Sequence, residues 1–77
     1  MDNQVKIGGR IWHLRKEVMH KTQEEFAELI DVTPEAVGLW ERGIVFPSIH
    51  NIARIAERCG VSSDYLLGIK SPVSKSK

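Results

Sequence analysis

The residues able to carry covalent or metal chemistry are few and poorly placed for it. His13, His20 and His50 share no spacing that would set two imidazoles on one metal, and no cysteine accompanies them. Solvated or capping roles are expected for all three, with no metal and no other cofactor. Cys59 is a lone thiol at the end of an apolar helical stripe, which reads as inert core rather than redox sensor. Glu24, Glu25 and Glu28 are clustered, but a working carboxylate pair needs a cleft, and a 77-residue chain has no second element left to wall one. The chain is therefore not expected to be an enzyme. What remains is the segment 22–43, which holds two helix starts, Thr22-Gln23-Glu24-Glu25 and Thr33-Pro34-Glu35. A helix start offers free backbone N–H groups and a positive dipole end, chemistry suited to holding anions and hydrogen-bond acceptors rather than to making bonds.

The elements that must position these groups are all helical, because apolar residues recur at three- and four-residue spacing and no run alternates long enough for a strand. Ile7, Ile11, Leu14 and Val18 make one stripe on a first helix over about 3–19, with Gly8 and Gly9 inside it. These glycines either permit close backbone approach or weaken the first turns. Thr22 and Glu25 form a capping box for a second helix whose buried face is Phe26, Ala27, Leu29 and Ile30. Asp31 should end it in a left-handed conformation. Thr33 caps a third helix with Pro34 at its first position, Val37 and Trp40 inward and Gly43 as its stop. An extended connection, 44–47, leads to Ser48, the cap of a fourth helix with the stripe Ile52, Ile55, Ala56, Cys59 and the stop Gly60. Ser62 caps a short fifth helix with Leu66 and Leu67 inward and Gly68 closing it. Trp40 is expected in the core and Trp12 half-buried. The resulting domain spans 1–69, followed by a basic, flexible tail over 70–77.

Composition is that of an ordinary globular domain, 42% hydrophobic and 27% charged, with a formal net charge of +1. No apolar run approaches the roughly 20 residues of a membrane span, no signal peptide is evident and a single cysteine permits no internal disulfide, so the expected location is cytoplasmic. The small net charge hides a segregation. Residues 1–23 carry five Lys and Arg against two acids, whereas 24–41 carry six acids and no Lys or Arg. Polyanion binding, if any, must therefore use a local arrangement of cations.

Two short helices joined by a tight turn near residues 30–32, with small Ala27 where they cross and Ile30, Val32, Val37 and Trp40 as shared core, meet the requirements of a helix-turn-helix over about 23–42. Such a unit leaves one face of its second helix free to enter a major groove. The chain resembles the Cro/phage-repressor (Xre-type) helix-turn-helix family through the strings IGGRIWHLRKE, TQEEFAELIDVTPEAVGLWERG and PSIHNIARIAERCGVSSDYLLG. The resemblance implies a compact, five-helix, lambda-repressor-like all-α fold and a dimeric transcription regulator that binds operator DNA. It implies that Gln23 bonds a phosphate and helps position the third helix, with Thr22 beside it among the DNA-binding residues. It puts Thr33, Pro34, Glu35, Gly38 and Leu39 on the outward positions of the recognition helix, and Arg42 at its end within reach of the DNA backbone. It pairs Arg15 with Glu41 as a structural ion pair. The chain departs from the family pattern at four places. Residues 18–21 are one residue longer than the commonest linker and lack its glycine. Asp31 replaces the turn glycine, Gly38 and Leu39 stand where polar readers are frequent, and Ile44 and Val45 stand where basic residues are frequent.

The expected function is that of a sequence-specific, DNA-binding transcriptional regulator. It would be a repressor acting as a homodimer on a palindromic operator, with double-stranded DNA and a second copy as partners and no membrane. The dimer contact is expected from Tyr65, Ile69 and Val73, with Val45 and Phe46 nearby. The alternative is a protein-interaction module, an antitoxin or anti-repressor partner, that keeps the helix-turn-helix as scaffold and uses Leu39, Ile44, Val45 and Phe46 to bind another protein.

Overall fold

Helix starts encoded within four residues form where the side chains place them. In the computed structural model, which describes residues 3–69 with side chains from Ile7 onward, five helices appear: α1 Asn3–Trp12, α2 Gln23–Ile30, α3 Pro34–Glu41, α4 Ile49–Cys59 and α5 Ser63–Leu67. Among the described residues there is no strand. The tail over 70–77, and Val73 with it, lies outside the described residues. Thr22 Oγ1 accepts from the Glu25 amide at 3.0 Å while the Glu25 carboxylate accepts from the Thr22 amide at 2.9 Å, closing the capping box. Thr33, Ser48 and Ser62 each accept from the amide three residues on. Asp31, Gly43, Gly60 and Gly68 adopt the left-handed conformation at the four helix ends.

The first helix departs from expectation. It is not one α-helix to Met19: after Trp12 the backbone widens into a π-helical segment, His13–Val18. The Met19 amide donates to the Leu14 carbonyl, five residues back, and the Lys21 amide to the Arg15 carbonyl, six back, both at 2.9 Å. A π turn absorbs one extra residue, which is the excess in the 18–21 linker. It also shifts the register. Val18, expected on the buried stripe, is 56% exposed, and Met19 packs against the core instead. His20 then stands at φ 56° and makes the left-handed turn into α2 in place of a glycine.

The core joins Ile7, Ile11 and Leu14 of the first helix and its extension to Phe26, Ala27 and Ile30 of α2, Val37 and Trp40 of α3, Ile52 and Ile55 of α4, and Leu66 of α5. Leu29, Val32, Ala56, Cys59 and Leu67 pack half-buried at its margin. Helix α1 crosses α3 at Gly8, where an added Cβ would sit 2.2 Å from the Trp40 carbonyl oxygen and 2.9 Å from that of Glu41. Gly9 faces open space. Helix α2 has no basic residue in its last turn, and α4 supplies the charge. Arg58 donates to the Leu29 carbonyl at 2.9 Å, and Arg54 to those of Ile30 and Asp31 at 3.3 Å. The helix-turn-helix is thereby fastened to α4 through its turn.

Candidate nucleic-acid interface

The seat of α3 is set by one buried charge cluster. Arg15, on the π segment, donates through Nε to Glu41 Oε2 at 2.6 Å and through Nη2 to Oε1 at 3.1 Å, a bidentate pair whose side chains are 10% and 5% exposed. Its third donor, Nη1, meets the Lys21 carbonyl at 2.8 Å and so ties the helix-one linker to the same point. Gln23, first residue of α2, donates through Nε2 to Glu41 Oε1 at 3.0 Å. The start of α2 and the end of α3 are thus locked by a shared carboxylate. With its amide nitrogen donating inward, Gln23 keeps its amide oxygen and second N–H for other partners.

Gly38 sits below that amide. A Cβ there would lie 3.7 Å from both polar atoms of the Gln23 side chain. The residue is half-buried and, with no side chain of its own, forms the floor of the surface. Gln23, Pro34, Glu35, Gly38, Leu39 and Arg42 together line one shallow groove along α3. Glu35 is exposed in the first turn, Leu39 is half-buried, and Arg42 is exposed at the far end, where Nε donates to the Gly38 carbonyl at 3.2 Å. Thr33 caps α3 through its hydroxyl oxygen at 3.2 Å from the Ala36 amide, which leaves the hydroxyl proton free to donate outward. Thr22 is likewise a cap with a free hydroxyl proton.

A second groove adjoins the first and shares Gln23 and Pro34 with it. Arg15, Lys16, His20, Lys21, Thr22 and Glu24 complete its lining. Lys16, His20 and Lys21 were not foreseen as site residues. The available signals were the basic excess of residues 1–23 and the position of His20 and Lys21 directly before a helix start. The π turn is what brings Lys16 to the same groove as the α2 N-terminus. Lys16 and Lys21 at one wall and the first amides of α2 below them favour an anion, with Glu24 the one opposing charge in the lining. Arg15 contributes little net charge there because Glu41 neutralises it.

Elsewhere, burial pushes the Cys59 thiol above its ordinary range, against the opposing pull of the Lys21 charge. The thiol is thus held in its less reactive protonated form. Among the described residues no three His, Cys, Asp or Glu side chains are grouped to hold a metal, and no helix is long and apolar enough to cross a membrane.

Comparison with known proteins bears on this surface. The model of the helix-turn-helix family matches residues 14–66, a span that takes in both grooves. Among solved structures the chain is similar to the crystal structure of a hypothetical transcription factor, NHTF, from Neisseria. That structure is 21% identical over 97% of this chain and 83% of that one, with a TM-score of 0.78. At that identity the likeness establishes the fold. No curated protein matches the chain.

Proposed function

Since the chain belongs to the helix-turn-helix family, we propose that it is a sequence-specific DNA-binding transcriptional regulator, a repressor that acts as a homodimer on a palindromic operator in the cytoplasm. The observation that carries this reading is the pair of adjoining grooves, one basic at the start of α2 and one running along α3. In this reading a phosphate enters the basic groove, where Lys16, His20, Lys21, the Thr22 hydroxyl and the first amides of α2 receive it. Arg42 takes a second phosphate at the other end of α3. These contacts place the protein and carry no sequence information. Helix α3 then lies in the major groove. Thr33 and Glu35 supply its hydrogen bonds, Glu35 accepting from a cytosine amino group, and Pro34 and Leu39 contact thymine methyls. Repression by steric exclusion follows from occupancy alone.

Retention on random-sequence DNA across a salt series tests the class, and selection of bound sites from a random pool tests the readout. Expected are a steep negative dependence of the logarithm of affinity on that of salt and an enriched two-fold symmetric site. Lys16→Gln should reduce the salt slope by about one at every sequence. A second reading rests on Ile44, Val45 and Phe46, exposed by 58%, 43% and 48% beside the end of α3. In this reading the chain is an antitoxin or anti-repressor partner that binds a protein through those residues and Leu39. No measurable affinity for DNA at low salt would favour it.

A further inference from the structure

Among the described residues the most exposed large apolar side chain lies away from both grooves. Ile49, in the first turn of α4, is 87% exposed. It stands at the rim of a depression walled by Ile52, Ala53, Ala56, Val61 and Leu67, in which Glu57 is the one charged lining residue. Along the outer face of α4 the large side chain is at one end and small ones follow: Ala53 exposed, Ala56 half-buried, and Gly60 exposed with nothing within 4 Å of an added Cβ. Residues at i, i+3, i+4 and i+7 of a helix border a hole that accepts one side chain. Ala53, Ala56, Glu57 and Gly60 border such a hole.

From this geometry we infer that α4 is the contact face for a second copy of this chain, packed antiparallel about a two-fold axis through Ala53. A knob and a hole on the same face fit each other only in a copy turned end for end, which is the condition for a closed, isologous pair. Ile49 of each copy enters the hole of the other, and Ala53 meets its own copy on the axis, where its size lets the helices approach. The charges agree with this direction. Helices α2, α3 and α5 each carry an acid in the first turn, whereas α4, like α1, carries none. Antiparallel pairing brings the partner's Glu57 to that positive helix end. Tyr65 and Ile69, the residues expected from sequence to make this contact, are exposed, but they share their hollow with Arg10 and Asp64, and the Tyr65 hydroxyl already faces His13 Nδ1 at 3.4 Å. The inference rests only on the homodimer part of the proposed function.

Sedimentation equilibrium of the full chain over micromolar concentrations, without DNA, is the test. The unmodified chain should be a dimer, and Ile49→Glu should weaken it at least about 100-fold while leaving the helical spectrum and its cooperative melting intact, since the side chain touches little in the monomer. In a Cys59→Ser background, Ala53→Cys should form an interchain disulfide under mild oxidation and Tyr65→Cys should not. A monomeric unmodified chain, an Ile49→Glu dimer of unchanged affinity, or cross-linking at position 65 in place of 53 would each overturn the inference. A dimer that meets these expectations yet fails to retain DNA supports the interface and removes the regulator reading.

Discussion

Replacing Glu41 by Ala should cost this domain close to half its stability. The carboxylate is 5% exposed and accepts three hydrogen bonds, two from Arg15 at 2.6 and 3.1 Å and one from Gln23 at 3.0 Å. Its removal leaves a guanidinium, itself 10% exposed, with the Lys21 carbonyl as its remaining partner, and it frees the Gln23 amide. An arginine in a protein cannot shed its proton, so it must stay charged where it is or pull the linker toward water. Breaking a buried pair in this way costs about 3–5 kcal/mol. The lower figure applies here because Arg15 borders an open groove. A chain of 77 residues is stable by about 4–12 kcal/mol, and a loss of about 3 kcal/mol lowers Tm by more than about 10 °C. Arg15→Ala should act in the same direction, leaving a shielded carboxylate held by Gln23 alone. The double variant should lose about 2 kcal/mol less than the sum of the singles, because the second substitution removes the charge that the first had stranded. Urea and thermal unfolding of the four proteins, followed by circular dichroism, measure the cycle. Additive effects each below about 1 kcal/mol would refute the reasoning and reduce the pair to a surface contact.

Three further outcomes follow from the geometry. Gly8→Ala should destabilise by about 3 kcal/mol or more, because its Cβ would meet the Trp40 and Glu41 carbonyls, whereas Gly9→Ala, facing open space, should stabilise by about 1 kcal/mol through helix propensity; denaturant midpoints of the two variants check the contrast. His20→Gly should raise stability by roughly 0.5–1 kcal/mol, since it relieves a left-handed residue at φ 56°, and should at the same time weaken DNA binding by removing a groove contact; paired melting and binding measurements separate the effects. Glu35→Gln should relax the base preference at one position of a selected site, while Gln23→Ala should weaken all sequences about equally; a panel of single-base variants tells the two apart, and an unchanged preference in Glu35→Gln would show that the carboxylate does not read bases.

The helix boundaries were legible because they are local. Thr22 and Glu25, Thr33 and Ala36, Ser48 and Asn51, and Ser62 and Tyr65 interact across three residues, and a chain segment carries that information whatever it packs against. The left-handed residues Asp31, Gly43, Gly60 and Gly68 are equally local. The buried stripes followed from the 3.6-residue period wherever the helix kept it. The Arg15–Glu41 contact, 26 residues apart in sequence, came from a family resemblance and not from spacing.

Tertiary structure alone decided the rest. A π turn cannot be read from apolar periodicity, because it is the place where the period fails; hence Met19 and not Val18 reaches the core, and Lys16 joins His20 and Lys21 at one groove. Of two adjacent glycines, only the crossing of α1 over α3 shows that Gly8 is indispensable and Gly9 is not. Gly38 was placed on the recognition surface by the family resemblance; only the fold shows that the Gln23 side chain, held by Glu41, lies over it. Ile49 stands three and seven residues before Ile52 and Ala56, in phase with the α4 stripe, so periodicity alone would bury it; only the fold leaves it 87% exposed beside a depression built from α4 and α5 together. Sequence determines what each segment does alone; contacts between segments depend on the distances that folding sets between residues far apart in the chain.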